Sequence, residues 1–373
     1  MGDHIIQRGT AMFEHESYDG HEQVVHVQDA ASGLKAIIAL HSTALGPAGG
    51  GCRLWHYEDP GKALTDALRL SRGMSYKNAL AGLQMGGGKA VILGPVPDDR
   101  RQAVFEAFGD AVNRLGGRYV TAEDVGVGVS DMKMVGARTK FVSGLSEEGG
   151  VGGDPSPYTA RGVRLAMEAV ALHVLGARSL EGVRVAVQGL GGVGANLCRE
   201  LSERGAKLIV ADINQQRVER ICDEFRAERA EAETILFSEV DILAPCALGG
   251  VMTEASVPKV RARAVVGGAN NQLLNAAAGQ MLFDRQITYA PDYLVNAGGI
   301  IMVAAEYFGT HSQAGVLADV ERIFDRTCQV LLSSRKTGAP PHLIADHMAA
   351  KVIETARQAE PGRPAVSRAE NFV

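Results

Sequence analysis

The chain reads as an α/β protein of two domains, the second built on a doubly wound parallel sheet. Three observations predict this. Its 373 residues are about twice the usual single-domain length. The stretch GLSEEGGVGGDPSP, residues 144–157, has the composition of a hinge. Beyond it, short apolar runs alternate with amphipathic ones, the pattern of parallel strands joined by helices.

Each element follows from local pattern. Gln23 to Gln28 and Leu34 to His41 are rich in β-branched and apolar residues around Asp29, Ser32 and Gly33, which predicts a hairpin. Lys62 to Ala81 sets Leu64, Ala67, Leu68 and Leu70 on roughly one helical face. The run Gly86, Gly87, Gly88 is expected to stop regular structure, with a short strand, KAVIL, opening at Lys89. A helix over Arg100 to Leu115 and a strand over Arg118 to Ala122 complete the first domain. Past the hinge come a helix (Thr159 to His173), a buried strand (Val183 to Gln188), a helix (Val193 to Arg204), a strand (Lys207 to Ala211) and a charged helix (Gln215 to Arg229). Further strands are expected at Asp241 to Ala244, Ala264 to Gly267 and Ile287 to Ala290. Leu317 to Arg357 is helical by pattern, and the final EPGRPAVSRAENFV is expected to be loosely held.

Composition narrows the function. With 38 basic and 43 acidic residues the chain carries no electrostatic footprint for nucleic acid or an anionic membrane. No uninterrupted apolar run is long enough to span a bilayer. The opening MGDHIIQRGT lacks the basic-then-apolar layout of a secretory signal. The five cysteines are scattered and odd in number, as expected of reduced thiols in a cytoplasmic protein. No histidine or cysteine cluster has metal-ligand spacing, so no metal is expected.

The sharpest motif follows the strand VRVAVQ. Gly189, Gly191 and Gly194 complete a GxGxxG, with Gly192 and Val193 inside it and a helix beyond. The first glycine permits a tight turn, the second lets backbone approach a pyrophosphate, and the third lets helix pack on strand. The helix N-terminus then offers free N–H groups to phosphate. Asp212 ends the next strand, 18 residues past Gly194, where a carboxylate accepts from a ribose hydroxyl. This is the arrangement of a Rossmann domain that binds NAD, although Arg217 nearby leaves tolerance of a 2′-phosphate open.

The segment GMSYKNALAGLQMGGGKA, residues 73–90, carries two lysines, Lys77 and Lys89, and no other full charge. A lysine buried without a partner is costly, and its pKa tends to fall. The pair therefore suggests one group to hold an anion and one to serve as a base; the alternative is that both reach out to water. Glu123 and Asp124 end a strand, where active-site groups of α/β folds often stand, or they begin a helix as ordinary first-turn acids. Asn270, Asn271 and Asn296 either hold a ligand or cap loops.

Eight ordered segments settle the choice by resemblance: LGPAGGGCR (45–53), ALTDALRLSRGMSYKNALAGL with GGGKAVI (63–92), GRYVTAEDVG (117–126), GDPSPYTARGV (153–163), VQGLGGVG (187–194), APCALGG (244–250), ANNQL (269–273) and YAPDYLVNAGG (289–299). Together they resemble the amino-acid dehydrogenases of glutamate, leucine, phenylalanine and valine, nearest to the leucine and valine branch. The resemblance implies a substrate domain over residues 1–150, a Rossmann domain over 151–335, and a helical segment over 336–373 that packs toward the first domain. It also implies a cleft that closes on substrate, and a dimer-based homo-oligomer, up to an octamer.

Roles carry over by position. Lys77 resembles the lysine that grips the substrate α-carboxylate, Lys89 the lysine that activates water, and Asp124 the acid that shuttles a proton to the amine. Gly49, Gly50, Gly51, Met74, Asn271, Ile300 and Val303 correspond to substrate-pocket positions. Thr159, Asp212, Arg217, Cys246, Ala247 and Asn270 correspond to positions around NAD, with the glycine turn. The family pattern has a larger apolar residue where this chain has Gly49, so an enlarged pocket and longer or aromatic substrates are one expectation. The aliphatic Ile300 and Val303 support the other, branched-chain aliphatic L-amino acids, with phenylalanine as the alternative. A hydroxy-acid oxidoreductase would want a histidine base, and a non-catalytic NAD sensor would not need Lys77, Lys89 and Asp124 together.

Overall fold

The computed structural model describes residues 12–145, 152–309 and 312–359. They fall into two compact units: residues 12–75 with 84–145, and residues 76–83 with the rest of the described chain. The expected tail, residues 360–373, and residues 146–151 of the expected hinge lie outside the described residues. Among the described residues, no helix is long and apolar enough to cross a membrane.

The first unit is a five-stranded mixed sheet. Its strands are β1 (Gln23–Asp29), β2 (Leu34–Ser42), β3 (Ala48–His56), β4 (Gly86–Gly94) and β5 (Tyr119–Glu123), in spatial order β1-β2-β4-β3-β5. The expected hairpin is β1–β2, and β4, β3 and β5 run parallel. Alternate residues of β2 face opposite ways, as period two requires. Ile38 and Leu40 join Ile92, Phe105 and Phe108 in one core with α2 (Asp98–Arg114), while Ile37 and Ala39 pack with Ala67 and Leu68 of α1 (Pro60–Ala81). A short helix, α3 (Val129–Gly136), adds Met132 and Val135 to the first core. Trp55, the only tryptophan, is 54 % exposed near the end of β3.

One expectation fails here. Gly86 to Gly88 do not stop the strand; they are its first three residues. A methyl group at Gly87 would lie 2.0 Å from the Ser75 backbone nitrogen, and one at Gly88 would meet the Tyr119 ring at 2.8 Å. The glycines are there because α1 and Tyr119 press onto the sheet.

The second unit carries six parallel strands: β6 (Arg184–Gln188), β7 (Lys207–Ala211), β8 (Glu228–Arg229), β9 (Ile242–Pro245), β10 (Ala264–Val265) and β11 (Thr288–Tyr289). Their order, β11-β10-β9-β6-β7-β8, is the doubly wound 3-2-1-4-5-6 arrangement read from its far edge. The helices α4 (Ser156–Val170), α5 (Gly192–Ser202), α6 (Gln215–Phe225), α7 (Ala276–Asp284), α8 (Asp292–Val295), α9 (Gly298–Phe308), α10 (Gln313–Thr337) and α11 (Pro341–Ala359) belong to the same unit.

Helix α6 stops four residues earlier than its charge pattern suggests, because Arg226 adopts a left-handed φ of 53° and the chain re-enters the sheet as β8. The stretch expected to be helical, Leu317 to Arg357, is divided between two helices. Gly338, at φ 69°, ends α10; Pro340 precedes α11 and Pro341 opens it, neither with an N–H to donate. Helix α10 packs on α4, and α11 on α10 and β11. The second unit thus runs through residue 359, and it also takes the last turns of α1, with Lys77.

Candidate active site

In the first unit the site grows from the parallel strands. Strand β3 runs between β4 and β5, and its register sets Cys52 beside Ala90 and Gly51 beside Ala122. A side chain at position 51 would obstruct the space between them: a methyl group there would lie 2.9 Å from the Asp124 Cβ. At Gly50 it would lie 1.8 Å from the Gly88 carbonyl oxygen and 3.3 Å from Met74 Cγ. With that space open, Lys89 Nζ on β4 reaches Asp124 Oδ2, just past β5, at 2.8 Å. Lys89 is buried, at 5 % exposure.

Asp124 holds a second cation. Arg53 Nε donates to the same Oδ2 at 3.1 Å. The Arg53 guanidinium is anchored in turn by Asp66 at 3.1 Å, and Tyr57 donates to Asp66 at 2.7 Å. Burial alone would raise the Asp124 carboxyl; Lys89 and Arg53 outweigh it and hold the group below its ordinary value. Sequence reasoning missed Arg53. It closes the quoted motif LGPAGGGCR, and two residues from Gly51 on a strand puts it on the same face.

Gly49 has a different surrounding from the one expected. A methyl group there would sit 2.1 Å from Met85 Sδ and 2.7 Å from its Cγ, and Met85 is itself buried. The missing side chain does not leave a void; Met85 fills it.

In the second unit, Lys77 Nζ donates to Asn270 Oδ1 at 3.0 Å. Asn296 donates to the same oxygen at 2.8 Å and to the Gly268 carbonyl at 3.2 Å. Its own Oδ1 is buried without a hydrogen-bond partner among the described residues. Asp292 lies behind, its carboxyl raised by burial despite a Gln272 N–H and the charge of Lys77. Asn271 takes a left-handed φ of 53°, and its carbonyl accepts from Gly250. Ile300 and Val303 are half-buried one turn apart on α9, whose Ile301, Met302, Ala304 and Ala305 are buried.

The glycine turn stands between β6 and β9, where strand order reverses and open α/β sheets bind ligands. Gly189 has φ 91°, and a methyl group on it would strike the Ala247 nitrogen at 2.8 Å. One on Gly194 would lie 1.9 Å from the Gly189 carbonyl oxygen. Gly191 alone opens outward, with nothing within 4 Å of the added carbon. Ser156 Oγ lies over Gly192, Val193 against Gly268, and Cys246 Sγ accepts from the Gly268 N–H. Burial pushes the Cys246 thiol up to about 11, so it stays protonated. The Thr159 hydroxyl donates to the Pro155 carbonyl, beside Gly299. The open cradle at Gly191, on a helix N-terminus, fits a dinucleotide pyrophosphate. Asp212 differs from expectation in one respect: Oδ2 already accepts from Leu190 N at 2.6 Å and Oδ1 from Asn214 N at 2.8 Å. Among the described residues no cluster could hold a metal ion.

This turn, at the reversal point of a doubly wound sheet, places the second unit in the dinucleotide-binding class. Comparison with known proteins extends that to the whole chain. The model of the Glu/Leu/Phe/Val dehydrogenase dimerisation domain matches residues 21–141, and that of glutamate/leucine/phenylalanine/valine dehydrogenase matches 149–214 and 210–359. A leucine dehydrogenase of Geobacillus stearothermophilus is 48 % identical, over 92 % of this chain and 93 % of its own. A valine dehydrogenase of Streptomyces virginiae is 46 % identical, over 92 % and 96 %. Among solved structures, an L-tryptophan dehydrogenase from Nostoc punctiforme matches with a TM-score of 0.80 at 37 % identity, over 91 % of this chain and 97 % of that one. The chain belongs to the Glu/Leu/Phe/Val dehydrogenase family, whose members are amino-acid oxidoreductases.

Proposed function

We propose that this chain catalyses the reversible, NAD-dependent oxidative deamination of branched-chain aliphatic L-amino acids. Amino acid, water and oxidised NAD give the 2-oxo acid, ammonium, reduced NAD and a proton. The buried Lys89–Asp124 pair carries this reading. Lys89 and Arg53 both meet Asp124 at Oδ2, and the other carboxylate oxygen, Oδ1, would take the substrate amine. Asp124 takes a proton from the amine there. Lys89 first loses its ammonium proton to solvent at alkaline pH; as the neutral amine it then removes a proton from the water that adds to the imine carbon. Asp124 returns a proton to nitrogen as ammonia leaves. Lys77 holds the α-carboxylate, exchanging its Asn270 contact for the ligand. When bound, NAD supplies the hydride acceptor. Gly189, Gly191, Gly192 and Gly194 receive its pyrophosphate, and the 91 %-exposed Ile213 offers an apolar platform for adenine.

Two features support aliphatic substrates: Met85 closes the space at Gly49, and Ile300 and Val303 present branched side chains. The tryptophan dehydrogenase likeness favours an aromatic second reading. The test is NADH formation at alkaline pH with leucine, valine, isoleucine, phenylalanine and tryptophan. Leucine, valine or isoleucine is expected to give the highest kcat/KM. A value for phenylalanine or tryptophan tenfold above leucine, about 1.4 kcal/mol, reverses the assignment. No turnover with any amino acid rejects it. The reading includes cytoplasmic residence and a homo-oligomer.

A further inference from the structure

Lys89, Asp124 and Lys77 carry the proposed chemistry, and Arg53 carries none of it. Yet Arg53 is tied into the site at both ends of its guanidinium. Nε donates to Asp124 Oδ2 at 3.1 Å, and Nη1 donates to Asp66 Oδ2, on α1, at 3.1 Å. Tyr57 donates to the same Asp66 oxygen at 2.7 Å. Burial first, then the Asp66 contact, raise the Tyr57 hydroxyl above its ordinary value, so it remains a donor at alkaline pH.

The backbone of Asp124 is fixed without Arg53. Val127 N donates to the Asp124 carbonyl at 3.0 Å, and Leu54 N donates to the Val125 carbonyl at 3.0 Å, lacing this loop to β3. A methyl group on Gly126 would lie 2.2 Å from the Leu54 carbonyl oxygen, so loop and strand are in close contact. The freedom left at Asp124 is rotation of its carboxylate. Lys89 alone does not stop that rotation, because an ammonium is a compact charge on a flexible stem and follows either oxygen. A planar guanidinium held at its far end by Asp66 meets Oδ2 from one direction only.

We infer that Arg53 is a positioning residue for the deamination: braced by Asp66 and Tyr57, it pins Asp124 Oδ2 and so sets where Oδ1 stands for the amine nitrogen. This rests on the deamination reading of Lys89 and Asp124. The test is steady-state kinetics of the full-length protein with Arg53→Lys, which keeps the charge and loses the fork, and with Asp66→Asn. Arg53→Lys is expected to lower kcat for leucine at least tenfold, while the leucine KM stays within threefold because Lys77 holds the α-carboxylate. In the reductive direction the ammonium KM is expected to rise at least fivefold and that of the 2-oxo acid to stay within twofold. The double variant is expected to lose no more than twofold beyond Arg53→Lys, because Asp66 acts only through the arginine. A merely structural arginine would instead move both KM values alike and leave the two losses multiplicative. A kcat loss under tenfold, an ammonium KM raised less than fivefold, or losses that multiply overturns the inference. Should Arg53→Lys not fold, Asp66→Asn decides: its ratio of ammonium KM to 2-oxo-acid KM is expected to rise at least threefold, and a smaller rise overturns the inference. Wild-type turnover in any of these outcomes leaves the dehydrogenase assignment standing. A wild type that turns over no amino acid removes both.

Discussion

At the residue scale the decisive group is Lys89, a buried ammonium whose partner is a carboxylate two strands away. Replacing Lys89 with alanine is expected to reduce kcat at least tenfold, about 1.4 kcal/mol of transition-state stabilisation. NADH titration of the variant separates lost chemistry from lost fold. Asp124→Asn strands Lys89 without its anion, and breaking a buried pair this way costs about 3 kcal/mol. The pH dependence follows from the lowered Asp124 carboxyl. Its contribution is complete above its ordinary value of 3.8 and is lost as pH falls through the still lower folded-state value. The Tm gap between wild type and Asp124→Asn is therefore expected to be full at pH 6 and to shrink below pH 3.8. A gap that stays constant down to pH 2 would show that the pair adds no stability of its own.

At the element scale the sheet of the first unit shows how a glycine run serves packing. Met85 stands where a side chain at position 49 would stand, so Met85→Ala is expected to open a cavity and cost about 2–4 kcal/mol. The same variant should raise phenylalanine turnover relative to leucine; an unchanged ratio would place Met85 outside the determinants of substrate choice. These interactions also mark how much the sequence discloses. The Rossmann strands and the glycine turn were legible, because each rests on local period or on a motif that survives in isolation; Lys89 and Asp124 were given their roles only through the resemblance of the whole set of segments. The role of Gly86 to Gly88 was not legible. The pressure of Ser75 and Tyr119 on them comes from residues distant in sequence. The filling of Gly49 by Met85 escaped for the same reason, as did Arg53, whose importance appears only once β3 lies beside Asp124.

At the scale of the whole molecule, ligand and assembly are the measurable consequences. A coenzyme bound only by the folded chain stabilises it by about 2.7 kcal/mol at a hundred times its dissociation constant. Calorimetry with NADH is expected to show the corresponding rise in Tm, and no rise would contradict the nucleotide site. The matched dimerisation domain spans residues 21–141, and light scattering is expected to return a mass of at least two 39.4 kDa chains. A single-chain mass at micromolar concentration would contradict assembly.

Trp55 has a practical consequence. A lone indole, half in water, next but one to the arginine that grips Asp124, is an intrinsic optical probe confined to one half of the chain. Its emission during denaturation follows the first unit's melting, while far-ultraviolet dichroism sums both units. Should the two curves separate, the halves come apart in sequence; should they coincide, the protein unfolds as one cooperative body.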